Sequence, residues 1–330
     1  MPIDPFFVRR FPMLDGIDLA TDAARSPEQD ARLAAYRSHP HPYTVPDTVA
    51  VSPLTIPGPH GPVAARLLRP RDAAPSEATA HARGPGVLWL HGGGFAGGSL
   101  DAPEAHVVGA ELARRAGAVV LTVGYRLAVG GVRHPVPLDD VAAAWDWLVA
   151  AAGDLGIDPT RMSIGGTSAG GNLAAAACLR ARDRGTARPA RMLLAYPALH
   201  FPTPALPDAV LAQMREVPVL HRFTDRWESI VRTYVGRLTD VPHEAMPGHA
   251  DLTGLPPALV VVAEHDDLRP SGELFARQLL DSGGEATTYL AAGMLHGHLN
   301  REPTPELPEV DRTIDVLADA LRRPVRAPVR

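Results

Sequence analysis

The 330-residue chain is 45% apolar with a net charge of −5 and no long basic run. It can bury a large core and offers no electrostatic footing for nucleic acid or an anionic membrane. A single cysteine, Cys178, excludes an intrachain disulfide and a thiol-rich metal site.

Residues 1 to about 45 mix helical patches with proline-rich connectors, and the opening Met1-Pro-Ile-Asp4 lacks a basic stretch ahead of an apolar one. No segment is apolar over the length of a membrane span, so a cytoplasmic location without a membrane partner is the expectation. His39-Pro-His-Pro-Tyr43 carries two histidines, too few for a metal tract, and reads as an extended connector. Strands are predicted at 49–56 and 63–68 around a turn at 57–61, followed by a Pro/Ala/Gly-rich surface loop over 70–86. From there strands (87–91, 119–125, 162–165, 192–196, 258–263, 286–290) alternate with helices (105–116, 138–155, 170–184, 271–282, 310–321). Such alternation predicts right-handed βαβ crossovers and a mostly parallel, doubly wound sheet in one α/β domain over 1–330. Residues 198 to about 252 interrupt it. Ligands bind at the carboxyl ends of strands in open sheets, so an insertion leaving one of those ends is placed to form a lid. Cys178, in an alanine-rich helical run, reads as a buried inert thiol, and the basic residues 322–330 as a frayed tail.

Two glycine motifs carry the chemistry. Gly166-Thr-Ser168-Ala-Gly170 joins a predicted strand to a predicted helix, the setting of a nucleophile elbow. Small residues are needed there because the serine sits in a strained turn between close-packed elements, and the helix N-terminus turns free N–H groups toward developing negative charge. His91-Gly-Gly-Gly94-Phe95 ends an earlier strand and supplies backbone donors without a Cβ in the way, as an oxyanion hole requires. A serine nucleophile needs a base, and the base an orienting acid. Beyond later strands the chain offers Glu264-His-Asp266-Asp267 and then Gly293-Met-Leu-His296-Gly-His298, in the order Ser…Asp…His.

His91-Gly-Gly-Gly94, Tyr125-Arg-Leu-Ala128, Leu138-Asp-Asp140, Gly165-Gly-Thr-Ser168-Ala-Gly-Gly-Asn172, Leu255-Pro-Pro257 and Asp266-Asp-Leu-Arg269 together resemble the bacterial hormone-sensitive-lipase-like esterases. The resemblance runs from about residue 85 to 300. It implies an α/β-hydrolase fold, a helical cap built from about 1–45 and the insertion at about 198–252, no metal and no cofactor. It also implies a small-molecule ester as substrate, hydrolysed by a carboxylesterase, and leaves a homodimer open; the 5% aromatic content and the lack of an interfacial amphipathic helix favour short- to medium-chain acyl esters over long-chain lipids. By position, Ser168 is the nucleophile, Asp266 the acid and His296 the base. The N–H groups of Gly93, Gly94 and Ala169 would form the oxyanion hole, and Phe95 and Trp227 are the candidate substrate-binding side chains. The chain departs from the family at Thr167, Val129, Asp267 and His298; the last two set ionisable neighbours beside the triad.

Other readings compete at several of these residues. Asp139 and Asp140 could be a catalytic pair but read better as charges at a helix start, paired with Arg126. His265, Asp266, Asp267, His296 and His298 could hold a metal, a reading that leaves both glycine motifs unexplained. A non-catalytic binding protein on the same fold would have no use for intact Ser168, Asp266 and His296. Trp227 and Tyr234 could equally form a small core within the lid.

Overall fold

The computed structural model describes residues 1–17, 26–38, 42–71 and 83–324. The His39–His41 connector, most of the 70–86 loop and the tail from 325 lie outside the described residues. Eight strands form one sheet in the order β1-β2-β4-β3-β5-β6-β7-β8. They are β1 Val49–Ile56, β2 Val63–Pro70, β3 Gly84–Leu90, β4 Val119–Gly124, β5 Ile157–Thr167, β6 Arg191–Ala195, β7 Ala258–His265 and β8 Ala286–Leu295. β1 and β2 pair antiparallel, as do β2 and β4; every other pairing is parallel. The helices are α1 Pro5–Val8, α2 Pro27–Arg37, α3 Pro103–Ala116, α4 Val136–Ala151, α5 Ala169–Arg184, α6 Asp208–Met214, α7 Trp227–Val235, α8 Arg269–Asp281 and α9 Pro308–Arg322.

The sheet is buried on both faces, which is why its central strands read as unbroken apolar runs. In β3, Leu88 and Leu90 pack with Val141 and Leu148 of α4, Leu173 of α5 and Phe275 of α8. Val87 and Trp89, pointing the other way, pack with Val108 and Leu112 of α3 and Ile314 and Leu317 of α9. Each such side chain contributes about 1.5–3 kcal/mol on burial. Cys178 lies within the first of these cores, fully buried, and burial raises its thiol pKa.

Several element boundaries differ from the sequence reading; β8 runs on to Leu295 rather than 290, and β3 starts at Gly84 rather than 87. β5 starts five residues earlier than expected, because the polar stretch Asp158–Arg161 breaks the apolar pattern while Ile157 still pairs with Gly84. α4 ends at Ala151 rather than 155, where the Ile157 N–H closes onto the Ala152 carbonyl and Gly156 takes a left-handed conformation.

Asp139 and Asp140 are structural. Asp140 is fully buried and accepts from the Arg126 backbone N–H and guanidinium, while Asp139 pairs with Arg180 and His60. Residues 198–252 leave the end of β6 and carry α6 and α7. The N-terminal segment meets them where the Tyr36 hydroxyl lies 2.7 Å from His221 Nε2 and Phe7 faces the same ring edge-on. Among the described residues no helix is long and apolar enough to cross a membrane.

Candidate active site

β5 ends in a tight turn that delivers Ser168 to the start of α5. Ser168 holds φ 50 and ψ −115, a sparsely populated region for a residue with a Cβ, costing about 1–3 kcal/mol. Its N–H donates to the Ala195 carbonyl at 2.9 Å, and its own carbonyl accepts from Asn172 N–H at 3.0 Å. The flanking glycines are set by space. A Cβ on Gly166 would lie 2.5 Å from the Leu90 carbonyl oxygen, and one on Gly170 would lie 2.4 Å from those of His91 and Leu90. Asn172 ties the start of α5 to the insertion, its amide donating to the carbonyls of Ala198 and Ala245.

Asp266 follows β7 and His296 follows β8, so both reach the sheet edge at which Ser168 stands. His296 Nδ1 lies 2.7 Å from Asp266 Oδ2, and its Nε2 lies 2.9 Å from Ser168 Oγ. The other oxygen of Asp266 accepts from the Leu268 N–H at 2.9 Å, which fixes the carboxylate plane. All three side chains are buried. With the carboxylate accepting at Nδ1, the neutral ring presents a lone pair at Nε2 to the serine hydroxyl. Burial pulls the His296 pKa down, but Asp266 foremost, then Asp267 and Glu104, outweigh it and hold the pKa above the ordinary histidine value. The Phe223 ring covers His296 with centroids 4.1 Å apart.

The glycine loop after β3 faces this group. Gly93 has φ 117, and a Cβ there would lie 2.3 Å from the Gly97 carbonyl oxygen. Among the described residues, no hydrogen bond within the protein uses the N–H of Gly93, Gly94 or Ala169. His91 braces the loop: its Nδ1 lies 2.7 Å from the Gly92 carbonyl, its ring stacks on Tyr125, and the Tyr125 hydroxyl donates to the His91 carbonyl. Burial lowers the His91 pKa and keeps this brace neutral.

A cavity of about 640 Å³ opens onto Ser168 and His296. Gly93 and Gly94 line it, together with Phe223, Arg226 and Ile230 from the insertion and Tyr36 from the N-terminal segment. Phe95 and Trp227, expected at the substrate, do not line it. Phe95 has φ 63, which turns its ring into the core, flat against Tyr234 at 3.8 Å. Trp227 is buried with its indole N–H on the His200 carbonyl, so with Tyr234 it belongs to the core beneath the insertion. Glu104, Phe223, Arg226 and Arg301 reach the cavity without any sequence motif to announce them.

The two unusual neighbours separate. Asp267 turns from His296 toward Thr224, accepting from its N–H at 2.8 Å and its hydroxyl at 2.7 Å. Gly297, at φ 75, turns the chain so that the His296 and His298 rings both edge onto Tyr196. His298 lies beside Thr313, and burial pushes its pKa down to about 3. His265 faces the Met1 carbonyl. Among the described residues no three His, Cys, Asp or Glu side chains converge as metal ligands.

Residues 87–300 match the alpha/beta hydrolase fold family. Esterase LipI of Mycobacterium tuberculosis is 33% identical over 311 residues, covering 90% of this chain and 88% of the relative. The chain belongs to the hormone-sensitive-lipase-like esterases of the α/β-hydrolase fold. Carboxylesterase NlhH of the same organism is another relative of this esterase-family chain, 37% identical over 227 residues, 66% of this chain and 67% of the relative. The solved structure of a hyperthermophilic esterase from the archaeon Pyrobaculum calidifontis superposes on it with a TM-score of 0.76 at 33% identity, over 98% of each chain.

Proposed function

We propose that this chain is a carboxylesterase of short- to medium-chain acyl esters, with Ser168 as nucleophile, His296 as base and Asp266 as the orienting acid. The observation that carries the reading is the position of His296, whose two ring nitrogens lie 2.7 Å from Asp266 and 2.9 Å from Ser168. Ser168 Oγ attacks the ester carbonyl carbon as its proton passes to His296 Nε2. The N–H groups of Gly93, Gly94 and Ala169 receive the oxyanion. The tetrahedral centre collapses as His296 gives that proton to the leaving alcohol oxygen. Water then attacks the acyl-enzyme, again losing a proton to His296, and the acid departs from a restored serine. Residues 1–45 and 198–252 act as the cap, a role supported by the insertion and N-terminal residues that wall the cavity.

The test is Ser168→Ala. Hydrolysis of p-nitrophenyl butyrate should fall by at least about three orders of magnitude with thermal unfolding retained. A fluorophosphonate should label the unmodified enzyme and not the variant. Activity near that of the unmodified protein would end this reading. Across p-nitrophenyl esters of graded length, acetate to hexanoate should outpace laurate; the reverse order would remove the chain-length assignment.

A further inference from the structure

The cavity that reaches Ser168 has cationic walls. Arg37, Arg226 and Arg301 all line it, and a guanidinium stays charged at any physiological pH. Arg301 is 6% exposed and sits over the Tyr36 and Phe6 rings. Its Nη1 donates to the carbonyls of Tyr36 and Arg37 at the C-terminal end of α2, which explains its fold role while leaving a full positive charge at the cavity wall. Arg226 has less to explain it. Its guanidinium lies over the Phe223 ring at 5.2 Å and its Nη2 donates to the Leu220 carbonyl at 3.1 Å, while its Nε is buried with no acceptor.

The nearby carboxylates Asp267 and Asp225 act on Arg226 through space but make no direct ion pair with it. Among the described residues no carboxylate lies within ion-pair distance of Arg226 or Arg301. Asp225, next in the chain, pairs with Arg222, and Asp267 is held by Thr224. Glu104 also lines the cavity, its two oxygens taken by Tyr196 and the Gly92 N–H. Arg226 moreover occupies the N-cap of α7, with no side-chain cap, where its charge adds to the positive end of the helix dipole. A cation that is half desolvated, short of an acceptor and unfavourable for its own helix is a local conflict of the sort found at binding sites.

We propose that Arg226, together with Arg301, forms an anion-recognising subsite of the catalytic cavity, so that the preferred substrates are esters bearing a carboxylate a few atoms from the scissile carbonyl. The proposal rests on the esterase reading of Ser168 and narrows its substrate class. The carboxylate can belong to the acyl part, as in a half-ester of a dicarboxylic acid, or to the alcohol part, as in the acyl ester of a hydroxy acid.

Monomethyl glutarate and 3-acetoxypropanoate represent the two placements, each compared with its neutral carboxamide isostere. In the unmodified enzyme at least one acid should exceed its amide in kcat/KM by about tenfold or more, the usual size of a charge-assisted hydrogen bond. Which acid does so assigns the side. Raising sodium chloride should shrink the ratio. Arg226→Gln should cut it at least about tenfold, and Arg226→Lys should restore part of it, because charge returns without the planar fork. Binding of monomethyl glutarate and its amide to Ser168→Ala by calorimetry gives the same comparison without turnover, so a failure of the esterase reading would not hide the subsite. Equal values for acid and amide in the unmodified enzyme, an unchanged ratio in Arg226→Gln, or a ratio indifferent to salt would each overturn the proposal. Should Arg226→Gln not fold, the salt series and the calorimetry still decide.

Discussion

The buried carboxylate of Glu104 accepts a hydrogen bond from the Tyr196 hydroxyl at 2.7 Å. Its second oxygen accepts from the Gly92 N–H at 3.0 Å, and the Tyr196 ring edges onto His296 at 4.9 Å. One acid thus joins the glycine loop to the ring that packs against His296. Burial raises the Glu104 pKa, and its donors Tyr196 and Gly92 draw it back.

Glu104→Leu should therefore lower kcat about tenfold or more with a smaller change in KM, and lower the melting temperature. It strands the Gly92 N–H and the Tyr196 hydroxyl, each at about 1–3 kcal/mol. Glu104→Gln should recover much of the loss, since its amide can accept from Gly92 and donate to Tyr196. Steady-state kinetics with thermal unfolding on both variants checks this. Equal damage from the two substitutions would mean that the charge, not the hydrogen-bond bridge, matters.

Gly170→Ala tests the elbow as a packing device. The added Cβ would meet the His91 and Leu90 carbonyl oxygens at 2.4 Å, and backbone cannot step aside as a flexible side chain can. Overpacking of this kind costs about 1–3 kcal/mol or more, so the variant should melt well below the parent or accumulate insoluble. A melting temperature within a degree of the parent would contradict the close approach.

What the sequence made legible was local or repetitive. The apolar strands announce themselves because both faces of the sheet are buried. The elbow does so because Gly166, Ser168 and Gly170 are each required within a few residues of one another. Asp266 and His296 follow from chain order, both placed just past a strand. Glu104 and Arg226 were not legible, since each becomes meaningful only when α3 and the insertion fold back over β3 and β8. Phe95 misled for a different reason. An aromatic after three glycines at a sheet edge looks aimed at substrate, and only its left-handed backbone sends the ring into the core against Tyr234.

The acid limb of the pH profile should sit above the ordinary histidine range. The proposed mechanism needs neutral His296, and Asp266, Asp267 and Glu104 favour its protonated form over the opposing effect of burial. Activity is thus complete above that raised pKa and lost as pH falls through it. Asp267→Asn removes one of the anions while its amide oxygen can still accept from Thr224. The acid limb of kcat/KM should move to lower pH. A limb that stays in place, or moves up, would show that Asp267 does not act on His296 through its charge.

His296 and His298 give the sharpest separation, because one glycine divides them. His296 bridges Ser168 and Asp266, whereas His298 is buried beside Thr313 with its pKa pushed down to about 3. His296→Ala should cost at least about three orders of magnitude in turnover, since the serine loses its proton acceptor. His298→Phe should keep most activity, with an aromatic ring still available to pack against Tyr196 and helix α9. It should also leave the pH profile where it was, because a histidine already neutral throughout the working range has no titration there to remove. Folded protein is verified by circular dichroism, and both variants are assayed from pH 5 to 9. A folded but inactive His298→Phe alongside an active His296→Ala would reverse the assignment of the base and leave that of Ser168 standing.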